Sequence, residues 1–234
     1  MNINIKKLQD LFSSKATVYE ELGNEHFPIR GLEMYDKRCD IAAHLHCEVV
    51  ELWLSVVQNQ SLEQVFDELV DILCVWNLGL VLYQKVSDSV IDFNKILTEA
   101  EQFITEQNFL NLVPDQRKNW ALETGDYSND KFIQNFDKGI EFFDIKCMFN
   151  FGTGNQVDIF SVFHKVINDL WNSIRRQKET MEIYKNLVRI FAVWIFSVRI
   201  ISKQMKYEIS FDNIFEISNQ IFTDVAKKKF NINI

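Results

Sequence analysis

The sequence predicts an all-α protein, and three observations lead to that class. The 234 residues include only 7 Gly and 2 Pro, so few residues interrupt helices. Hydrophobic residues make up 47% of the chain, enough to bury a substantial core. They recur every three or four positions over long stretches, and no alternation typical of strands persists. We expect one helical-bundle domain over residues 1–234, with a sub-boundary near 110–125 as the alternative.

Apolar spacing and the breakers between segments define the expected elements in order. Gly23, Pro28 and Gly31 place a loop over 22–34, and Asn59-Gln60 forms a turn. Pro114 and the GTG at 152–154 suggest further loops around one helix in the middle of the chain. The expected helices cover about 3–14, 35–57, 62–84, 89–109, 130–145, 156–176, 180–206 and 211–228.

Two of these helices should form a tight antiparallel hairpin. Apolar residues from Ile41 to Val56 recur at helical spacing before the Asn59-Gln60 turn. Ser61 and Gln64 then match a capping box, in which the Ser side chain and the Gln three residues later satisfy the first backbone N–H groups. A short connection of this kind joins antiparallel neighbours.

Charge and cysteine content exclude several classes of function. The formal net charge of −8 argues against binding a nucleic-acid backbone. Cys39, Cys47, Cys74 and Cys147 form no CxxC pair, so we expect buried free thiols in a reducing compartment. The N-terminus lacks a signal core, and charged residues interrupt the apolar run over 187–201. A cytoplasmic protein outside the membrane is expected.

Four acidic residues form two pairs in the predicted hairpin, and the two members of each pair lie at the same height on neighbouring helices. Glu48 and Glu51 are three positions apart on one helix, and Glu68 and Asp71 are three apart on the next. In an antiparallel hairpin about residues 59–60, Glu51 faces Glu68 and Glu48 faces Asp71. At 5 Å and an effective dielectric constant near 20, each facing pair of charges costs on the order of 3 kcal/mol. A bound cation would offset that repulsion.

The types of ligand indicate which cation would bind. Carboxylate oxygens without His or Cys suit Mg²⁺, with Mn²⁺ as a substitute, rather than Zn²⁺. Magnesium keeps several waters and commonly bridges to substrate phosphates. The hairpin therefore predicts a polyphosphate substrate. The alternative interpretation is that pairs of acids at this spacing lie on ordinary solvated helix faces.

The spacing Glu48-x-x-Glu51, then Glu68-x-x-Asp71, resembles the ExxE…ExxD signature of the all-α nucleoside triphosphate pyrophosphohydrolases. This superfamily includes MazG-type enzymes, dCTP pyrophosphatases and dimeric dUTPases. The resemblance covers residues 38–85. It implies that the four acids bind Mg²⁺, that Glu48 or Glu51 is catalytic, and that a nucleoside triphosphate is hydrolysed to a monophosphate and diphosphate. It also implies a homodimer.

Within that superfamily, the length of the chain resembles the dimeric dUTPases, which makes dUTP the expected substrate. The stretch YEISFDNIFEISNQIF at 207–222 resembles the approach to their C-terminal substrate motif, although a Lys-Asn pair is missing after Ser218. A second partial match, NDLWNSIRRQ at 168–177, retains Asn172 and Arg175. The alternatives are a MazG-like or dCTP-directed enzyme, and a regulatory helical protein that binds nucleotide without turnover.

Further residues could bind the substrate, and each also has a structural interpretation. Two arginines could clamp phosphate or lie on a solvated face, an asparagine could bind substrate or be a buried amide, and a tryptophan could stack on a base or belong to the core. His44 and His46 are not expected to bind metal because residues two apart do not share a helix face. The substrate-binding candidates are Asn77, Asn172, Arg175, Arg176 and Trp53.

Overall fold

The computed structural model describes residues 3–26, 37–58, 60–105, 159–176 and 178–230. Within these ranges the chain forms seven α-helices and no strand, so the all-α prediction is confirmed. The predicted helix over 130–145, the sub-boundary near 110–125, the GTG turn and Asn59 lie outside the described residues. The helices are α1 (Ile5–His26), α2 (Lys37–Val57), α3 (Leu62–Ser87), α4 (Phe93–Thr105), α5 (Ile159–Arg175), α6 (Thr180–Met205) and α7 (Phe211–Phe230).

Helices α3 and α6 form the centre of the bundle. Helix α6 packs against α3, α4 and α5, whereas α3 also packs against α1, α2 and α7. Trp76 of α3 stacks on Phe191 of α6 with ring centroids 4.4 Å apart, and its indole N–H donates to the Leu187 carbonyl at 2.8 Å. The Trp194 N–H donates in the other direction, to the Leu69 carbonyl at 3.0 Å. Both indoles are therefore buried with their polar atoms satisfied.

Gly79 marks the closest approach of α3 to its neighbours. A Cβ atom at this position would lie 3.1 Å from the side chains of both Ile41 and Leu187. Glycine therefore lets α2 and α6 pack on α3 at the same level. Beside this contact, an apolar cleft opens between α2, α3, α5 and α6.

Two predicted boundaries were wrong for reasons that the structure shows. Helix α1 continues through Ser14 and Thr17 to His26 and into the predicted loop. The hydroxyls of these two residues donate to carbonyls one turn earlier, so both polar groups are satisfied within the helix. Helix α4 begins at Phe93 rather than near Ser89, because the Asp92 carboxylate accepts hydrogen bonds from the first-turn backbone N–H groups.

The cysteine prediction holds only in part. Cys74 is a free, partly buried thiol, whereas Cys47 is free but exposed, so its predicted burial was wrong. The apolar run over 187–201 lies in α6 and is largely buried. None of the helices in the described ranges combines the length and the apolar character needed to cross a bilayer.

Candidate metal centre

The connection between α2 and α3 is short, and its described residues form hydrogen bonds at both helix ends. The backbone N–H of Gln60 donates to the Ser55 carbonyl at 2.9 Å, closing the end of α2. Ser61 then caps α3: its hydroxyl accepts from the Gln64 N–H, and the Gln64 side chain accepts from the Ser61 N–H, each at 3.2 Å. The predicted capping box is therefore present. Only residues 58–61 separate the two helices, which pack along each other.

Three of the four predicted ligands converge across these helices. Glu48 of α2 and Glu68 and Asp71 of α3 each offer a carboxylate oxygen, and these oxygens all lie within 4.8 Å of one another. All three side chains are partly buried. Glu51 is exposed and lies beside this group of three. We call Glu48, Glu51, Glu68 and Asp71 the acidic cluster.

The strongest charge interactions between the acids of α2 and α3 match the pairing expected for two antiparallel helices. Asp71 is the charge that acts most strongly on Glu48, and Glu51 is the charge that acts most strongly on Glu68. These are the two pairs that the predicted hairpin makes level.

Burial and mutual repulsion favour the protonated form of the acids. Burial raises the pKa of Glu48 to about 7, and the charges of Asp71, Glu51 and Glu68 add to this rise. Burial likewise raises the pKa of Glu68 to about 6, with Glu51 as the next contribution. The isolated cluster therefore holds protons at a pH where ordinary carboxylic acids have lost them.

Asp71 differs from its neighbours because a cation lies nearby. Burial raises its pKa, as do the charges of Asp67 and Glu51, but the ammonium of Lys15 acts in the opposite direction. No salt bridge joins a lysine or arginine of the described ranges to the acidic cluster. Carboxylate oxygens this close together could hold a metal ion.

The predicted substrate-binding residues occupy varied environments. Trp53 is partly buried and packs on the hydrophobic core. Asn77 is fully buried, and neither atom of its amide has a hydrogen-bond partner among the described residues. The Asn172 amide donates to the Asn168 carbonyl at 2.9 Å.

The structure does not bring Arg175 and Arg176 to the acidic cluster of the same chain. Helix α5 runs antiparallel to α2, since His46 meets His164 whereas Ile41 shares the apolar cleft with Ile174. Arg175 lies eleven residues beyond His164, about 16 Å along the helix and on the side away from Glu48. Both arginines are exposed, and the Arg175 guanidinium lies 5.0 Å over the Trp171 ring.

Two features near the cluster were not predicted from the sequence. The Nδ1 atoms of His46 and His164 lie 2.8 Å apart, which links α2 to α5. Lys15 is only 5% exposed, whereas lysine side chains usually lie at the surface. A signal for Lys15 existed: Leu8, Leu11 and Lys15 follow helical spacing, so Lys15 occupies a core-facing position once α1 is extended beyond residue 14.

Comparison with known proteins identifies no relative. Neither a protein-family model, nor a curated protein, nor a solved structure matches this chain, so the resemblance to the all-α pyrophosphohydrolases stays a prediction from the ExxE…ExxD motif.

Proposed function

We propose that the chain is a Mg²⁺-dependent nucleoside triphosphate pyrophosphohydrolase. The observation that carries this proposal is the convergence of Glu48, Glu68 and Asp71, with carboxylate oxygens within 4.8 Å of one another on two adjacent helices. Three partly buried acids at this separation repel one another strongly, and a divalent cation removes that repulsion. The triphosphate is the substrate class that such a cation attracts.

In this proposal three of the four acids bind the cation and the fourth accepts a proton. Glu48, Glu68 and Asp71 hold the cation, which supplies positive charge to the phosphate oxygens when it is bound. Glu51 is exposed and stands beside the three ligands, so we assign it the role of proton acceptor. A water molecule attacks the α-phosphorus and gives its proton to Glu51. The bond from the α-phosphorus to its bridging oxygen breaks, which releases a nucleoside monophosphate and diphosphate.

We propose dUTP as the preferred substrate, on the basis of the chain length and the C-terminal resemblance to dimeric dUTPases. The same reasoning proposes a cytoplasmic homodimer. Arg175 and Arg176 lie far from the acidic cluster of their own chain. In a homodimer, they could instead bind a phosphate held by the acidic cluster of the second copy. Light scattering coupled to gel filtration measures whether the mass in solution is twice 27.7 kDa.

The test of the proposed function is product analysis over a panel of nucleotides. We expect the full-length protein with Mg²⁺ to release diphosphate from dUTP at least about tenfold faster than from dCTP, dGTP, dATP or dTTP. Glu51→Gln should slow this reaction by about 10²- to 10⁴-fold, the usual contribution of a proton acceptor. Glu63→Gln is the matched control, because Glu63 is an exposed acid on α3 outside the cluster.

Different results would point to the alternatives. A preference for dCTP, or equal turnover of all nucleotides, would replace the dUTPase assignment with a dCTP-directed or MazG-like one. Mg²⁺-dependent nucleotide binding without diphosphate release would indicate the regulatory protein. Release of inorganic phosphate alone would contradict attack at the α-phosphorus.

A further inference from the structure

Lys15 lies where α1, α3 and α7 meet. It is the only charged residue that is buried among those the structure describes. Its ammonium sits 4.2 Å above the ring of Phe222 on α7. Cys74 of α3 also neighbours Lys15. Because Cys74 follows Asp71 by three residues, it lies one turn further along the same face of α3.

A buried ammonium is costly unless something compensates it. The aromatic face of Phe222 supplies part of this compensation. The charge of Lys15 also acts on Asp71 of the acidic cluster and favours its ionised form, although no salt bridge joins the two side chains. Lys15 is 5% exposed, and its helix α1 packs on both α3 and α7, so its side chain has little freedom to turn towards solvent.

We propose that Lys15 is a positioning residue that supplies a built-in positive charge behind Asp71 and thereby limits how tightly the acidic cluster binds a divalent cation. This role rests on the proposed function of that cluster. A fixed cation behind one ligand repels an incoming ion while it draws the Asp71 carboxylate towards α1. Removing the fixed charge should leave the geometry of the other ligands in place and strengthen cation binding.

The experiment measures Mn²⁺ affinity of the full-length protein by isothermal titration calorimetry at pH 8. We expect Lys15→Met to bind Mn²⁺ at least about tenfold more tightly than the wild type, because the repelling charge is gone. Lys15→Arg keeps that charge and should stay within about threefold of the wild type. Should Lys15→Met fail to fold by circular dichroism, Lys15→Gln is measured in its place.

Lys7→Met is the matched control. Lys7 lies eight residues before Lys15 on α1 and also reaches α7, where it forms salt bridges with Asp212 and Glu216. Its removal changes the net charge by the same amount and disturbs the same pair of helices, but it should leave Mn²⁺ affinity within about twofold. A purely structural role of Lys15 would make the two variants alike.

The outcomes separate this proposal from the proposed function. If the wild type releases diphosphate but a folded Lys15→Met variant binds Mn²⁺ no more tightly, the role of Lys15 is overturned and the function stands. If Lys15→Met binds Mn²⁺ more tightly but no nucleotide is hydrolysed, the role of Lys15 stands and the function is overturned. If neither protein binds Mn²⁺, both proposals are overturned.

Discussion

At the scale of single residues, the unusual side chains are those whose chemistry conflicts with their surroundings. Glu48 is an acid whose pKa burial raises to about 7, and Asn77 is an amide without a partner among the described residues. The sequence predicted Glu48 as a metal ligand and Asn77 as a substrate-binding residue, because both predictions need only the spacing of residues along the two helices of the hairpin. Burial and missing partners depend on the packing of distant helices, which spacing does not reveal.

Glu48→Gln should change stability in a pH-dependent way. The folded-state pKa of Glu48 is about 7 against an ordinary value of 4.5, so the folded protein holds a proton that the unfolded chain releases. The resulting stability is present below pH 4.5 and lost as pH rises through 7. In EDTA, we expect the variant to exceed the wild type by about 1 to 2 kcal/mol at pH 8, after allowance for solvent screening, and by little at pH 4.5.

Urea unfolding at the two pH values measures this difference. Glu63→Gln, an exposed change on the neighbouring helix α3, should show no comparable change with pH. A difference for Glu48→Gln that is the same at both pH values would contradict the role of ionisation.

Asn77→Leu should stabilise the protein. A buried amide with unpaired atoms costs about 1 to 3 kcal/mol, and leucine fills a similar volume without polar atoms. Asn186→Leu is the control with the opposite expected sign, because that buried amide donates to the Ser173 hydroxyl at 2.9 Å. Urea midpoints compare the two variants. If Asn77→Leu lowers the midpoint as Asn186→Leu does, the amide has a partner or a role in packing; a raised KM would indicate substrate binding.

At the scale of elements, two connections determine where the acids stand. The capping box at Ser61 sets where α3 begins, and the contact of His46 with His164 joins α2 to α5. The first was predictable, because a capping box is a local pattern of two residues. The second was not, because it joins residues 118 positions apart. The same contrast explains why the boundaries of α2, α3 and α6 were close to their predicted values.

Ser61→Ala should lower the free energy of unfolding by about 1 kcal/mol, since the Gln64 N–H loses its acceptor. Ser61→Asp should retain most of the stability, because aspartate also caps helix N-termini. Thermal denaturation followed by circular dichroism measures both. Equal losses in the two variants would show that the hydroxyl acts by another route than capping.

The contact between α2 and α5 should weaken in acid. Burial, reinforced by the charge of His164, lowers the pKa of His46 to about 4, so the folded protein favours the neutral imidazole. The stability from this group is present above pH 6.5 and lost as pH falls towards 4. We expect the protection factors of α5 amides, corrected for the slower intrinsic exchange in acid, to fall from pH 7 to pH 5, and His46→Phe to reduce that effect. His44→Gln, on the same helix, should not reduce it.

At the scale of the whole molecule, a cation bound to the acidic cluster should stabilise the fold by mass action. At a free concentration one hundred times its dissociation constant, an ion that binds only the folded state adds about 2.7 kcal/mol. For a chain of this size, that corresponds to a rise in Tm of roughly 5 to 10 °C. Differential scanning fluorimetry in EDTA and in Mn²⁺ measures the rise, which Glu68→Gln should largely remove. An equal rise in that variant would place the ion elsewhere.

The hydrogen bond from the Trp194 indole to the Leu69 carbonyl gives this protein an optical reporter of its own. Leu69 directly follows Glu68, so the fluorophore is tied to the backbone beside a proposed ligand. Any shift of α3 during ion uptake would alter the surroundings of that indole and hence its emission. With the other four tryptophans of the chain replaced by phenylalanine, the emission of Trp194 would follow the acids in real time without an added dye.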